Sequence, residues 1–316
     1  MIGYVIRRLI IAVIVTIGIA AITFAMLHYL QPSPAAIVLG TKARPEAIAS
    51  WNKQHGYDRP EIVQFWSYLK GIAHFNFGYS YKLSQSVAAL FNENAGRTAY
   101  LSGAALVLAL LIAIPLGIYQ AVRRNSIADY TLSALNLTLY SMPSFLLGVV
   151  LIQFFALNWN IFPPGVSSNI TSTWAAITHP SQMVLPIATL TFITVASFSR
   201  YMRSSALDNL AQDYIRLARA KGLSERAVLS RHLLRNACLP MITLVGLSIP
   251  ALMAGNLLIE YLFNYPGLGL LFYNALNNAD YNIMLAYTIL IGILTVVGNL
   301  IADIAITAAD PRVRLT

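Results

Sequence analysis

Six stretches of this 316-residue chain are long and apolar enough to require a lipid environment: Leu9 to Leu30, Thr98 to Val122, Tyr130 to Leu157, Met183 to Met202, Ala237 to Ile259 and Ile283 to Ala302. A hydrocarbon core about 30 Å thick takes about 20 helical residues to cross. Backbone groups cannot stay unpaired in lipid, so runs of this length read as helices. The expectation is an all-α integral membrane protein with six transmembrane helices. Composition agrees, since only 10% of the residues are charged, against about 25% in soluble domains. The first run follows Arg7 and Arg8 as a secretory signal would. It is longer than a typical h-region of about 7–15 residues, so it is read as a retained span.

The net charge of +9 has to be read by position, because short cytoplasmic loops collect Lys and Arg. With the N-terminus inside, 14 of the 21 basic residues become cytoplasmic: Arg7, Arg8, Arg123, Arg124, Arg200, Arg203, Arg216, Arg219, Lys221, Arg226, Arg231, Arg235, Arg312 and Arg314. The others lie between the first two spans, in a segment long enough to translocate despite its charge. Outer loops 158–182 and 260–282 contain no Lys or Arg. The expected organisation is therefore 1–30 as the N-terminal end and first span, 31–97 as an extracytoplasmic segment, and 98–316 as a five-span core with a cytoplasmic loop at 204–236. Both termini are cytoplasmic, in the cell membrane.

The 31–97 segment carries helical signals of its own. Pro45 and Pro60 suit first-turn positions, and Ile62, Phe65, Trp66, Leu69 and Ile72 recur at amphipathic spacing. A cap packed over the spans and a docking surface for an external partner fit equally well. One cysteine, Cys238, forms no internal disulfide, and five histidines far apart in sequence make no zinc pattern. Ionisable groups are nearly absent from the spans, which argues against self-sufficient ion coupling. His28, Glu260 and Asp303 sit at span ends and read as structural. Asn136, Gln153 and Asn256 lie within spans, and Pro115, Pro143, Pro186 and Pro250 are placed to kink them.

Two segments stand out. The outer loop EYLFNYPGLGLLFYNALNNADY, 260–281, is aromatic but broken at Pro266, Gly267 and Gly269. It reads either as a re-entrant element bordering a pathway, with Glu260, Phe263, Tyr265, Pro266, Gly267 and Gly269 as gate candidates, or as an interfacial aromatic belt. The second segment is DYIRLARAKGLSERAVLSRHLLRNACLP, 213–240, an unusually charged connection between spans four and five. Asp213 to Lys221 has helix-forming composition, Gly222 stops it, and Ser224 caps a second helix reaching about Asn236. The apolar faces, Tyr214, Leu217 and Ala218 with the stem of Lys221, then Val228, Leu229 and Leu233, are too small to fold alone. A DNA-binding helix-turn-helix has no room so close to the bilayer, so nucleic acid is excluded as a partner. Two readings remain: a basic hairpin lying on anionic lipid, and a docking knob whose small residues Ala211, Ala218, Ala220 and Gly222 permit close approach.

The 213–240 stretch resembles the cytoplasmic loop of ABC importer permeases, in the form seen in the dipeptide and oligopeptide permease family. That loop is described as Glu-Ala-Ala, three residues, Gly and a later Leu-Pro. Here the first three positions are Arg216, Leu217 and Ala218; Ala218 and Gly222 match, and Leu239-Pro240 follows further on. The resemblance extends over the chain through YVIRRLI, GYDRPEIVQFWSYLKGIAHFNFGYS, IPLGIYQAV, YPGLG and ADPRVR; Gln31-Pro32-Ser33-Pro34 stands where such permeases commonly have Pro-Gly-Asp-Pro.

The resemblance implies a type I ABC importer permease fold. It implies a complex with a second homologous permease subunit, two cytoplasmic ABC ATPase subunits and an extracytoplasmic substrate-binding protein. The cargo implied is a di- or oligopeptide, with glutathione, a nickel chelate or an oligosaccharide as alternatives. The ATPase-coupling residues would be Tyr214, Ile215, Leu217, Ala218, Ala220, Lys221, Gly222, Leu223 and Ser224. The chain itself would be no enzyme and bind no cofactor or metal, with ATP and Mg on the ATPase subunits. GxxxxGK[ST], HExxH and GxSxG are all missing from the sequence. An ion-coupled secondary carrier and a membrane anchor that only recruits a cytoplasmic protein are the rival classes.

Overall fold

A computed structural model describes residues 2–30, 34–40, 42–254 and 256–309. Gln31, Pro32 and Ser33 of the first loop and Asp310 to Arg314 of the closing motif lie outside the described residues. The described chain is helical apart from one short ribbon. α1 (Ile2–Leu30) is followed by α2 (Pro34–Leu39), α3 (Pro45–His55) and α4 (Glu61–Ala73), then by β1 (Tyr79–Ser80) and β2 (Gln85–Ser86), paired antiparallel with Tyr79 opposite Ser86. Next come α5 (Val87–Val122), α6 (Ile127–Ser141), α7 (Ser144–Leu151, continuing as a π-helix over Ile152–Asn158), α8 (Thr173–Thr178) and α9 (Pro180–Leu210). The remainder is α10 (Asp213–Ala220), α11 (Glu225–Ala227, continuing as a π-helix over Val228–Leu233), α12 (Leu234–Ala237), α13 (Leu239–Ala254), α14 (Leu257–Leu262), α15 (Leu268–Asn277) and α16 (Tyr281–Ala309).

Among the described residues, Val87–Val122, Pro180–Leu210 and Tyr281–Ala305 are each long and apolar enough to cross a membrane. α6 and the α7 segment add a fourth if taken together across a 106° bend; Val13–Tyr29 and Leu239–Ser248 are shorter apolar helices. A helix lies in each of the six apolar ranges, of which three, or four with the bent pair, are long and apolar enough to cross, and two differ in form from the expectation. The third breaks at Met142-Pro143, where Met142 is extended (φ −78°, ψ 131°) and Pro143 is the cap residue before α7. A proline ring disfavours helical geometry in the residue before it and removes one backbone donor. The fifth is interrupted: α13 ends at Ala254, and Asn256 (φ −101°, ψ 83°) leads into α14. Pro115 and Pro186, by contrast, lie inside α5 and α9.

Two helices run further than their apolar runs. α5 starts at Val87, not Thr98, where the Ser86 hydroxyl caps it by accepting from the Ala89 amide. Its first turns bury Asn94 and Arg97, which are paired: Arg97 Nη2 donates to Asn94 Oδ1 at 2.9 Å and Nη1 to the Ile170 carbonyl at 3.3 Å. α9 passes Met202 and ends at Leu210. Of the two expected proline starts, Pro45 opens α3, while Pro60 is the cap residue before α4. α4 is tied to the end of α1: Glu61 contacts His28 Nε2 at 3.1 Å and accepts from the Tyr29 hydroxyl at 3.0 Å. His28 is therefore paired with an acid.

α5 packs along α9, α13 along α16, and α1 against α16, while α6 crosses α9. The α6–α9 contact is polar where it meets the α5–α6 turn. Arg203 reaches Asp129 through two bonds of 2.8 Å, with the Asp129 side chain 2% exposed and that of Arg203 28% exposed. Asp129 also accepts from the Asn125 amide, and Asn136 bridges the Ser199 hydroxyl at 2.9 Å and Gln120 at 3.4 Å. Removing one partner of such a pair strands a charge. We expect Asp129→Ala to cost about 3 kcal/mol, read as a lowered thermal midpoint of the purified protein. Asp129→Ala with Arg203→Leu should recover most of the loss, and an unchanged midpoint in the single variant would refute the structural weight given to this pair.

Candidate functional site

The two segments singled out in the sequence lie near opposite ends of α5. At its C-terminal end sits the α10–α11 turn. α10 follows Gln212, which is extended, and buries Ile215 and Ala218 in a cluster with Ala113 and Ala121 of α5, Met202 and Ala206 of α9, and Val228, Leu233 and Ala237. Tyr214 is half-buried and its hydroxyl donates to Asn209 Oδ1 at 2.7 Å. The helix closes as a glycine-stopped helix should: Gly222 has φ +76°, and the Leu223 amide reaches back to the Ala218 carbonyl at 3.4 Å. Arg219 clasps Glu225 across the turn with bonds of 3.1 and 2.7 Å. That guanidinium holds the Glu225 carboxyl below the usual carboxylate range.

These contacts revise the expected apolar face. Leu217 does not pack inward; it is 56% exposed, and Leu223 is 40% exposed. Ile215 and Ala218 take the inward positions, so Ala218 braces the turn and is not open to a partner. The exposed tip consists of Leu217, Ala220, Lys221, Gly222, Leu223 and Ser224. Nothing lies within 4 Å of a Cβ built on Gly222. The second helix runs to Ala237 as expected, with its middle wound as a π-helix.

At the N-terminal end of α5 sits the loop that begins at Glu260. It is a helical hairpin, α14 and α15, turned at Asn264 (φ +51°). Glu260 is fully buried. Its carboxylate accepts from the Thr98 hydroxyl at 2.9 Å and the Leu270 amide at 3.0 Å, and Thr98 Oγ1 in turn accepts from the Leu268 amide at 2.8 Å. Two side chains remote in sequence thus satisfy the first-turn donors of α15, which would otherwise be orphaned. This is why the motif needs its glycine: a Cβ on Gly267 would lie 2.5 Å from Glu260 Oε2 and would overlap Thr98 Oγ1. The Tyr265 hydroxyl donates to the Arg97 carbonyl at 2.6 Å, and the Val166 amide donates to the Phe263 carbonyl at 2.7 Å.

Phe263 and Tyr265 are fully buried, Gly267 and Gly269 are buried and Pro266 is half-buried. In this conformation these residues hold the hairpin in the chain's own core. The exposed positions of the hairpin are Leu258, Tyr261, Asn264, Asn274, Leu276 and Asn277. Thr98 and Arg97, which anchor the hairpin, carry no motif that would mark them in the sequence. Among the described residues, no group of three or more His, Cys, Asp or Glu side chains is placed to hold a metal ion.

Comparison with known proteins covers almost the whole chain. Residues 113–315 match the family described as binding-protein-dependent transport system inner membrane component, and residues 1–102 match its N-terminal companion. The chain is 34% identical over 314 residues to the oligopeptide transport system permease protein AppB of Bacillus subtilis, covering 99% of both chains. It is likewise 34% identical over 336 residues to the dipeptide transport system permease protein DppB of Escherichia coli, again with 99% of each covered. The glutathione transport system permease protein GsiC of Salmonella choleraesuis is 33% identical over 315 residues, at the same coverage. A mainly helical chain whose apolar helices suit a membrane, matched by these models from end to end, belongs to the family of inner-membrane components of binding-protein-dependent transport systems.

Proposed function

We propose that this chain is the membrane-spanning subunit of an ATP-driven importer of di- or oligopeptides. On this reading α1, α5, α6 with α7, α9, α13 and α16 supply six crossings, both termini are cytoplasmic, and 31–97 lies outside. A second permease subunit, two ATPases carrying ATP and Mg, and an external binding protein complete the machine. The chain performs no chemistry and holds no cofactor.

One observation carries the coupling role: the exposed α10–α11 tip stands on a buried base shared with α5 and α9. Leu217 and Leu223 leave apolar surface open at the tip, while Ile215, Ala218, Val228 and Leu233 fix it to the spans. A partner pressing on that tip displaces packed helices as a body, because close-packed interiors transmit strain. ATP-driven closure of the ATPases then biases a two-state arrangement of the spans. The α14–α15 hairpin, clamped to the other end of the same helix, is placed to move with it and to border the path through its exposed face. The peptide reading rests on the full-length relatives named for oligopeptide and dipeptide transport; the glutathione relative, similar at slightly lower identity, keeps a modified tripeptide as the alternative.

Three outcomes are expected. In the reconstituted complex, Leu217→Asp and Gly222→Trp each reduce ATP-driven peptide uptake at least tenfold, about 1.4 kcal/mol of lost coupling, with unchanged abundance in the membrane. Gly222→Ala has a smaller effect, since its strain of about 1 kcal/mol is local and no neighbour is displaced. Wild-type uptake by either of the first two variants would refute docking at this tip. In a Cys238→Ser background, a cysteine at Lys53 should react with an impermeant maleimide from outside and one at Arg226 only from inside; the reverse pattern refutes the orientation. Finally, uptake should require the ATPases and ignore ion gradients. Transport by this chain alone, driven by a sodium or proton gradient, would establish the carrier reading instead.

A further inference from the structure

At the end of the molecule built by α1, α3, α4 and the start of α16 is a cavity of about 630 Å³. That volume is in the range of small-molecule sites, about 300–1,000 Å³. Its wall is polar and of one sign. His28, Lys53 and Arg59 line it, with amides from Asn52 and Asn282 and the Tyr68 hydroxyl, and no Asp or Glu is among its lining residues. Of the acids on the flanking elements, Glu61 is bonded to the lining His28 and to Tyr29, Asp280 is bonded to the Ser80 hydroxyl, and Asp58 and Glu46 are exposed. Among the described residues neither Lys53 nor Arg59 forms an ion pair, and both are exposed to solvent at the mouth.

A second observation is independent of the charge. Among the described residues only three buried side-chain polar atoms lack a hydrogen-bond partner, and two of them, Asn52 Oδ1 and the Tyr68 hydroxyl, belong to residues of this cavity. Buried polar atoms are nearly always satisfied, so two together in one wall point to something absent from the chain itself. The framework around them is well held. Gln64 Nε2 donates to the Tyr57 and Arg59 carbonyls at 3.2 and 2.8 Å, and the Asn52 carbonyl accepts from the Tyr57 amide at 2.8 Å. His55 Nδ1 donates to the Trp51 carbonyl at 2.9 Å, and the His55 ring stacks on that of Trp51. The turn that presents Arg59 is thus set before any ligand arrives.

We propose that this cavity is a binding site for a small anionic group that also carries an N–H or O–H donor. The anion sits between Lys53 and Arg59 with the Tyr68 hydroxyl donating to it, and the neighbouring donor satisfies Asn52 Oδ1. A carboxylate beside a peptide N–H has this chemistry, and so does the phosphate of a lipid headgroup bearing a hydroxyl or ammonium. The inference does not rest on the transport reading, because binding is measured without ATP, ATPase activity or uptake.

The test uses the full chain with its co-purifying subunits in nanodiscs. In phosphatidylcholine nanodiscs, trialanine, trialanine amide and inorganic phosphate are titrated by calorimetry. In a second arm, retention of phosphatidylglycerol and phosphatidylethanolamine is followed by native mass spectrometry. The expected result is trialanine binding at least tenfold tighter than its amide, or selective lipid retention if the anion is a headgroup. Either must weaken at least tenfold in Lys53→Ala with Arg59→Ala, whose side chains are exposed and not needed for packing. Tyr68→Phe, which keeps the ring, should weaken it several-fold while the thermal midpoint stays or rises. Equal binding of acid and amide with no lipid preference, or binding indifferent to all three substitutions, overturns the proposal.

Discussion

The buried carboxylate of Glu260 organises one end of this molecule. A charge with no exposed surface is expensive unless every lone pair finds a donor, and Glu260 finds them on two elements at once: the Thr98 hydroxyl of α5 and the first-turn amides of α15, including that of Leu270. The favourable field at a helix N-terminus adds to these bonds. In consequence α14, α15 and α5 cannot shift separately without stranding the carboxylate, and the glycines of YPGLG are fixed by the space it occupies. Tyr265, with its hydroxyl on the Arg97 carbonyl, locks the same joint from a second direction.

α5 carries that joint across the molecule. Its N-terminal turns hold the hairpin, and its C-terminal half packs along α9 and contributes Ala113 and Ala121 to the cluster beneath α10. Between them, Gln120, Asn136 and Ser199 link α5, α6 and α9 through side-chain hydrogen bonds. Such bonds are few inside an apolar bundle and each specifies a register. A helix clamped by polar contacts at one end and by packing and polar contacts at the other behaves as a rod. That mechanical continuity is coherent with the proposed transport role.

The sequence made the apolar runs legible because hydrocarbon thickness imposes a length that no other fold requires. It hid what depends on contacts between distant residues. The first turns of α5 look like a polar loop, since Asn94 and Arg97 are hydrophilic; only their pairing with each other and with the Ile170 carbonyl lets them be buried. The break at Met142-Pro143 was marked by its proline, whereas Asn256 gave no comparable mark. In the charged stretch the glycine stop at Gly222 was readable from capping chemistry, whereas Ser224 stands at the cap position of the second helix without a side-chain capping bond. Which residues of α10 face inward was not, because an eight-residue helix offers two apolar stripes, Ile215 with Ala218 and Leu217 with its neighbours, and only the surface it rests on selects one.

That choice of stripe bears on what the turn can do. Ile215 and Ala218 are spent on the chain's own core, so the leucines left outside, Leu217 and Leu223, are apolar surface that water covers at a cost of about 25 cal/mol per Å². Scattered exposed leucines are ordinary on any protein. Here, however, they flank a left-handed glycine with open space above it, on a turn held in shape by the Arg219–Glu225 clasp. The basic residues Arg216, Lys221 and Arg226 around them are exposed, which gives long-range attraction to an acidic groove while leaving the centre apolar. A lipid-resting hairpin would instead direct its main apolar stripe toward the bilayer. This turn gives that stripe to the helices behind it and keeps a smaller one facing away, an arrangement suited to a protein partner.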